Sequence, residues 1–105
     1  MVSKGTLFKR YGGPGGSFLG NATDSYASRA LAPGTENVEI HYYQLAKDCE
    51  MTTGKVAPWF DSPGGAEQFV KYKANGKMFS IEEMENEGFL IDITELVKKG
   101  EIIID

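Results

Sequence analysis

The chain has 105 residues, 41% of them hydrophobic and 25% charged, with a formal net charge of −4. That length holds one domain of common size, and that composition is globular rather than disordered. The acidic balance argues against nucleic acid or an anionic membrane as a partner, and no apolar run reaches the roughly 18 residues of a membrane span.

The charge is unevenly spread. Through Pro33 the chain carries Lys4, Lys9, Arg10 and Arg29 against Asp24, four minus one or +3; the remaining seven bases and fourteen acids give −7. An anionic ligand would therefore meet the first third, although scattered solvated charge gives the same count. Cys49 is the single cysteine, which excludes an internal disulfide. His41 is the single histidine, and one His with one Cys does not make a zinc site, so no metal is expected. No secretory signal pattern opens the chain. Met1 to Gly5 is set apart as a linker or the cut end of a longer polypeptide.

Thr6 to Tyr11 reads as a short aromatic and β-branched strand. It runs into Gly12-Gly13-Pro14-Gly15-Gly16, after which Ser17-Phe18-Leu19 is extended again. Such a run is a flexible linker or, beside Arg10 and between two strands, a loop that approaches a ligand. It matches no phosphate-loop or dinucleotide pattern. Tyr26 to Leu31 reads as a helical turn closed by Ala32-Pro33-Gly34; Arg29 within it is a surface residue or an anion clamp.

Val38 to Leu45 is the clearest strand, by its alternation. With Val38 and Ile40 toward the core, His41 and Tyr43 share the other face, and His41 is either structural or a cleft lining. Glu50 to Val56 reads as a further strand. The stretch Gly54 to Phe69, GKVAPWFDSPGGAEQF, then holds the only tryptophan and ends on Gln68. Pro58 and Pro63-Gly64-Gly65 punctuate it, and Trp59 with Phe60 anchors it, so it is built to hold something flat near the main chain.

Phe69 to Tyr72 reads as a strand with a turn at Asn75-Gly76. Ser80 and Glu83 form a capping box for a helix ended by Gly88, followed by a strand at Phe89 to Ile91. The pattern repeats twelve residues on, with Asp92, Glu95 and Gly100 in place of Ser80, Glu83 and Gly88. A second capped helix and a terminal strand, Ile102 to Ile104, are expected. Glu82, Glu83, Glu85 and Glu87 read as a solvated helix face. The fold class is α+β, a single small domain with a twisted, mainly antiparallel sheet of about six strands and short helices near residues 80–87 and 93–99.

The blocks Arg10-Tyr11-Gly12, Gly16-Ser17-Phe18-Leu19, Tyr26…Arg29-Ala30-Leu31…Pro33, His41 with Tyr43, and Ala57-Pro58-Trp59-Phe60…Pro63-Gly64-Gly65…Gln68-Phe69 stand in this order. In that order and spacing the chain resembles the tuberculosis necrotizing toxin family of NAD glycohydrolase domains, over most of its length. It departs where family members carry proline and glycine and this chain has Asn21, Thr23 and Ser25, and in Phe18, which lacks a hydroxyl.

The resemblance implies hydrolysis of the nicotinamide–ribose bond of NAD or NADP, with no cofactor beyond that substrate. Gln68, His41 and Arg10 would be catalytic. Arg10, Gly12, Gly16, Phe18 and Arg29 would bind substrate: Arg10 and Arg29 at phosphate or ribose, the glycines by close backbone approach, Phe18 against nicotinamide. Trp59 and Phe60 would support the loop. The resemblance also implies a toxin domain delivered as the end of a longer polypeptide to a target-cell cytosol, and a cognate immunity protein. An ADP-ribosyltransferase, a non-catalytic nucleotide- or protein-binding module and a purely structural domain are the competing readings.

Overall fold

A computed structural model describes residues 1–13, 15–22, 40–55 (backbone alone at Lys55) and 67–104. The helical turn expected at Tyr26 to Leu31 with Arg29, the strand start at Val38, the Trp59-Phe60 anchor and the Pro63-Gly64-Gly65 turn lie outside these residues.

Among them are six strands, β1 (Leu7–Tyr11), β2 (Leu19–Asn21), β3 (Ile40–Leu45), β4 (Thr52–Lys55), β5 (Glu67–Val70) and β6 (Leu90–Asp92). They form one sheet in the order β4-β5-β2-β1-β3-β6, with every pairing antiparallel. Two short helices, α1 (Ile81–Asn86) and α2 (Thr94–Lys98), complete the α+β architecture.

Residues directly opposite in an antiparallel ladder point to the same face, and faces alternate along each strand. Phe8 pairs with Tyr43, Leu19 with Phe69, and Leu45 with Leu90. All six are buried, and the Phe8 and Phe69 rings meet edge to face at 5.2 Å. Ile81 and Met84 of α1, both fully buried, join the same core. Each such side chain contributes about 1.5–3 kcal/mol by leaving water. One face of the sheet and one side of α1 therefore make the core.

This register reverses the expectation for β3. Its core face carries Tyr43 and Leu45, while Ile40 is only half-buried. His41 and Tyr43 do share a face, but it is the face turned to the core, because Tyr43 stands opposite the buried Phe8.

Helix α1 starts as its sequence dictates. The Ser80 hydroxyl accepts from the Glu83 N–H at 3.1 Å, and the Glu83 carboxylate accepts from the Ser80 N–H at 3.0 Å, a closed capping box. It ends at Gly88, whose φ of 80° lets the Phe89 N–H turn back onto the Met84 carbonyl. Helix α2 ends the same way at Gly100, but the twelve-residue repeat breaks at its start. Ile93 occupies the cap position without a side-chain bond, and Asp92 instead accepts from the Thr94 N–H at 2.9 Å. Between β5 and α1 the expected turn is present: Gly76 has φ 86°, and Tyr72 pairs with Met78 across it.

The terminal strand is not formed. The Ile102 N–H bonds the Leu96 carbonyl at the end of α2, and Ile103 is left exposed. Three consecutive isoleucines have strand propensity, but propensity without a partner strand does not make a ladder.

Candidate active site

Arg10 stands near the end of β1, where the chain leaves the sheet for the glycine-rich loop. Its Nε donates to the Gly13 carbonyl at 2.7 Å and its Nη1 to the Phe18 carbonyl at 2.9 Å. The guanidinium therefore bridges the two limbs of the loop. Gly12 begins that loop with φ 110°, a conformation that side-chain-bearing residues avoid. At Gly16 the reason for glycine differs: a Cβ there would lie 2.6 Å from Arg10 Cζ and closer still to Nη2. The Gly16 carbonyl accepts from the Ile81 N–H at 2.8 Å, tying the loop to the first turn of α1. Burial pulls the Arg10 pKa down, with the nearby Tyr43 phenol acting the other way.

Arg10 and His41 are directly opposite on β1 and β3, so they leave the sheet on one face. The His41 ring stacks along its own strand with Tyr43, centroids 6.3 Å apart, and its Nδ1 lies 3.9 Å from Asp92 Oδ2. Asp92 is oriented by the Thr94 N–H held on its other oxygen. The Tyr43 phenol is pushed up to about 12, first by burial and then by the carboxylates of Glu85 and Asp92. Glu85 is itself raised, by burial first and then by Asp92 and Glu82, while His41 pulls it back. Arg10, His41, Tyr43, Glu85 and Asp92 thus form one cluster of ionisable side chains at the rim of the core.

Gln68 is placed differently. It precedes Phe69, which packs on Phe8, so alternation along β5 sends Gln68 to the opposite face. There it is paired with Gly20 on β2 and with Gly54 on β4. Neither neighbouring strand offers a side chain beside it. Gln68 is half-buried between two glycines, Gly20 itself buried, so its amide lies against backbone rather than against neighbouring side chains.

The structure therefore joins Arg10, Gly12, Gly16, Phe18 and His41 at one end of the sheet and sets Gln68 two strands away on the other face. Phe18 is 38% exposed, its carbonyl held by Arg10 and its ring available to a ligand. Sequence reading missed Asp92 and Glu85 as neighbours of His41. The repeat marked Asp92 as a cap, which it is, but only the β3–β6 register shows that it also faces His41. A cavity of about 500 Å³ lies elsewhere, between the Tyr72–Met78 turn and α1, lined by Tyr72, Lys73, Phe79, Glu83 and their neighbours. Glu83 there is occupied by the Lys73 ammonium and the helix cap, and the Lys73 bond chiefly holds its carboxyl below the usual range.

Comparison with known proteins gives these contacts a setting. The family model of tuberculosis necrotizing toxin matches residues 1–93, which takes in the whole sheet and α1 and stops before α2. The first tail repeat, Ser80 to Gly88, falls inside that match. The conidial surface nicotinamide adenine dinucleotide glycohydrolase of Aspergillus fumigatus is 35% identical over 65% of this chain and 32% of its own length. The solved structure of tuberculosis necrotizing toxin complexed with its immunity factor superposes with a TM-score of 0.76 at 26% identity, over 82% of this chain and 47% of the other. The chain spans about a third of the first relative and about half of the second. It belongs to the tuberculosis necrotizing toxin family.

Proposed function

We propose that this chain is an NAD(P) glycohydrolase domain that hydrolyses the nicotinamide–ribose bond, releasing nicotinamide and ADP-ribose. The observation that carries the reading is the family match over residues 1–93, which spans every residue of the candidate site, Arg29 included. The name of the Aspergillus relative supports the same chemistry.

Nicotinamide in NAD is already a cationic leaving group, so departure needs no proton donor and no metal. What the protein must supply is alignment of the dinucleotide, an environment that tolerates a ribosyl cation, and access for water. The glycine loop and Arg29 take the phosphates, with Arg10 at the same end of the site. Phe18 lies against nicotinamide. Gln68, neutral and flanked by bare backbone, faces the nicotinamide ribose, where its amide orients the ribose or the attacking water. His41 belongs to the Arg10 end, and a pH profile of His41→Ala against the parent chain reads whether it moves a proton. The domain acts as a toxin in a target cell, delivered as part of a longer polypeptide, and is neutralised by a cognate immunity protein. The complexed form of the structural relative supports that last assignment.

Product analysis tests the reading. With NAD and buffer alone, the chain should turn over repeatedly and yield nicotinamide and ADP-ribose in equal amounts. A strict ADP-ribosyltransferase would stall without a protein acceptor, and a binding module would leave NAD intact.

A further inference from the structure

Arg10 and Gln68 leave the sheet on opposite faces. Two donors of the Arg10 fork are already spent on the loop, at Gly13 and Phe18. The rest of the fork fills the space where residue 16 would carry a side chain. Gly16 is in turn fixed from the far side by the Ile81 N–H.

Building on the glycohydrolase reading, we propose that Arg10 is a positioning residue: it latches the 12–18 loop from beneath, and Gly16 is glycine to admit that latch rather than to admit the ligand. The same bonds fix the backbone at Gly13, Gly16 and Phe18 between the end of β1 and the first turn of α1. The fork geometry matters because Nε and Nη1 bond two different carbonyls at once, which a lysine ammonium on a flexible stem does not reproduce. A methyl group at residue 16 meets only the far end of a flexible side chain. It therefore pushes Arg10 out of place without breaking the sheet.

A double-mutant cycle on the full chain reads this directly. In the Arg10 background, Gly16→Ala should lower kcat/KM for NAD by about tenfold or more, as loop misplacement does. In the Arg10→Ala background the same change should cost less than about twofold, because the guanidinium it displaces is gone. Arg10→Lys should fail to rescue. Equal losses in both backgrounds would overturn the proposal and give Gly16 to the ligand. Backbone amide spectra keep the test alive if Arg10→Ala is inactive. Gly16→Ala and Arg10→Ala should shift the same amides between Gly12 and Phe18, and wild-type positions in Gly16→Ala would contradict the latch. Those spectra stand whether or not the parent chain cleaves NAD, so failure of the latch and failure of the glycohydrolase reading remain separate results.

Discussion

The two faces of the sheet use the same strands for opposite purposes. On one, Phe8, Leu19, Tyr43, Leu45 and Phe69 interlock under α1, with Arg10, His41, Glu85 and Asp92 along the rim. On the other, a row runs from Gly54 through Gln68 and Gly20 to Lys9 and Tyr42, with a glycine on each side of the one amide. A face packed with large side chains makes a rigid floor but leaves no room for a ligand. Glycines on both strands beside Gln68 let other groups approach its amide closely. The contrast places the apolar core on the first face, and the role proposed for Gln68 makes the second the face to test for substrate.

The largest expected effect tests the packed face. Phe8→Ala should lower unfolding stability by about 3–5 kcal/mol, read by chemical denaturation, because it empties the centre of the core. A loss below about 1 kcal/mol would mean that this face is not the core.

Next comes the face of Gln68. Gln68→Lys should lower NAD turnover by about 100-fold or more, since an ammonium beside a forming ribosyl cation opposes the charge that the site must tolerate. Its stability should fall by much less than that of Phe8→Ala, since Gln68 is half-buried against backbone and not packed in the core. Loss of activity together with loss of fold would erase the distinction between the faces.

Smaller again is Ser80→Ala, which opens the capping box of α1 and should cost about 1 kcal/mol of stability with KM unchanged. The smallest effect at neutral pH belongs to Tyr43. Its phenol titrates near 12 in the folded chain against an ordinary value of 10.0. The stability linked to it is complete below about pH 10 and is lost as pH rises toward 12, because the unfolded chain ionises first. Tyr43→Phe should remove that decline from an alkaline unfolding series. An unchanged decline would place its origin elsewhere.

Much of this division was legible in residue order. Ser80 with Glu83 announced α1, Gly88 its end, and Arg10 beside a glycine run the loop, because caps and turns are local chemistry. The side assigned to β3 was not legible. Ile40, Tyr42 and Tyr43 are all acceptable to a core, so alternation alone could not choose, and the choice was made by Phe8 on a strand thirty residues away. Ile102 to Ile104 misled for the related reason that strand propensity says nothing of a partner. The nearness of Asp92 and Glu85 to His41, and the placement of Gln68 between Gly20 and Gly54, are products of register. No single stretch contains them.

One titration asks the central question of which face receives the nucleotide. Adding ADP-ribose, the expected product, to isotopically labelled chain should shift the backbone amides of Gly12 to Phe18, Gly20, Gly54 and Gln68, and leave Phe8, Met84 and Leu90 in place. Shifts gathered at Glu85 and Asp92 with Gln68 and Gly54 unmoved would contradict the proposal that the nucleotide meets Gln68.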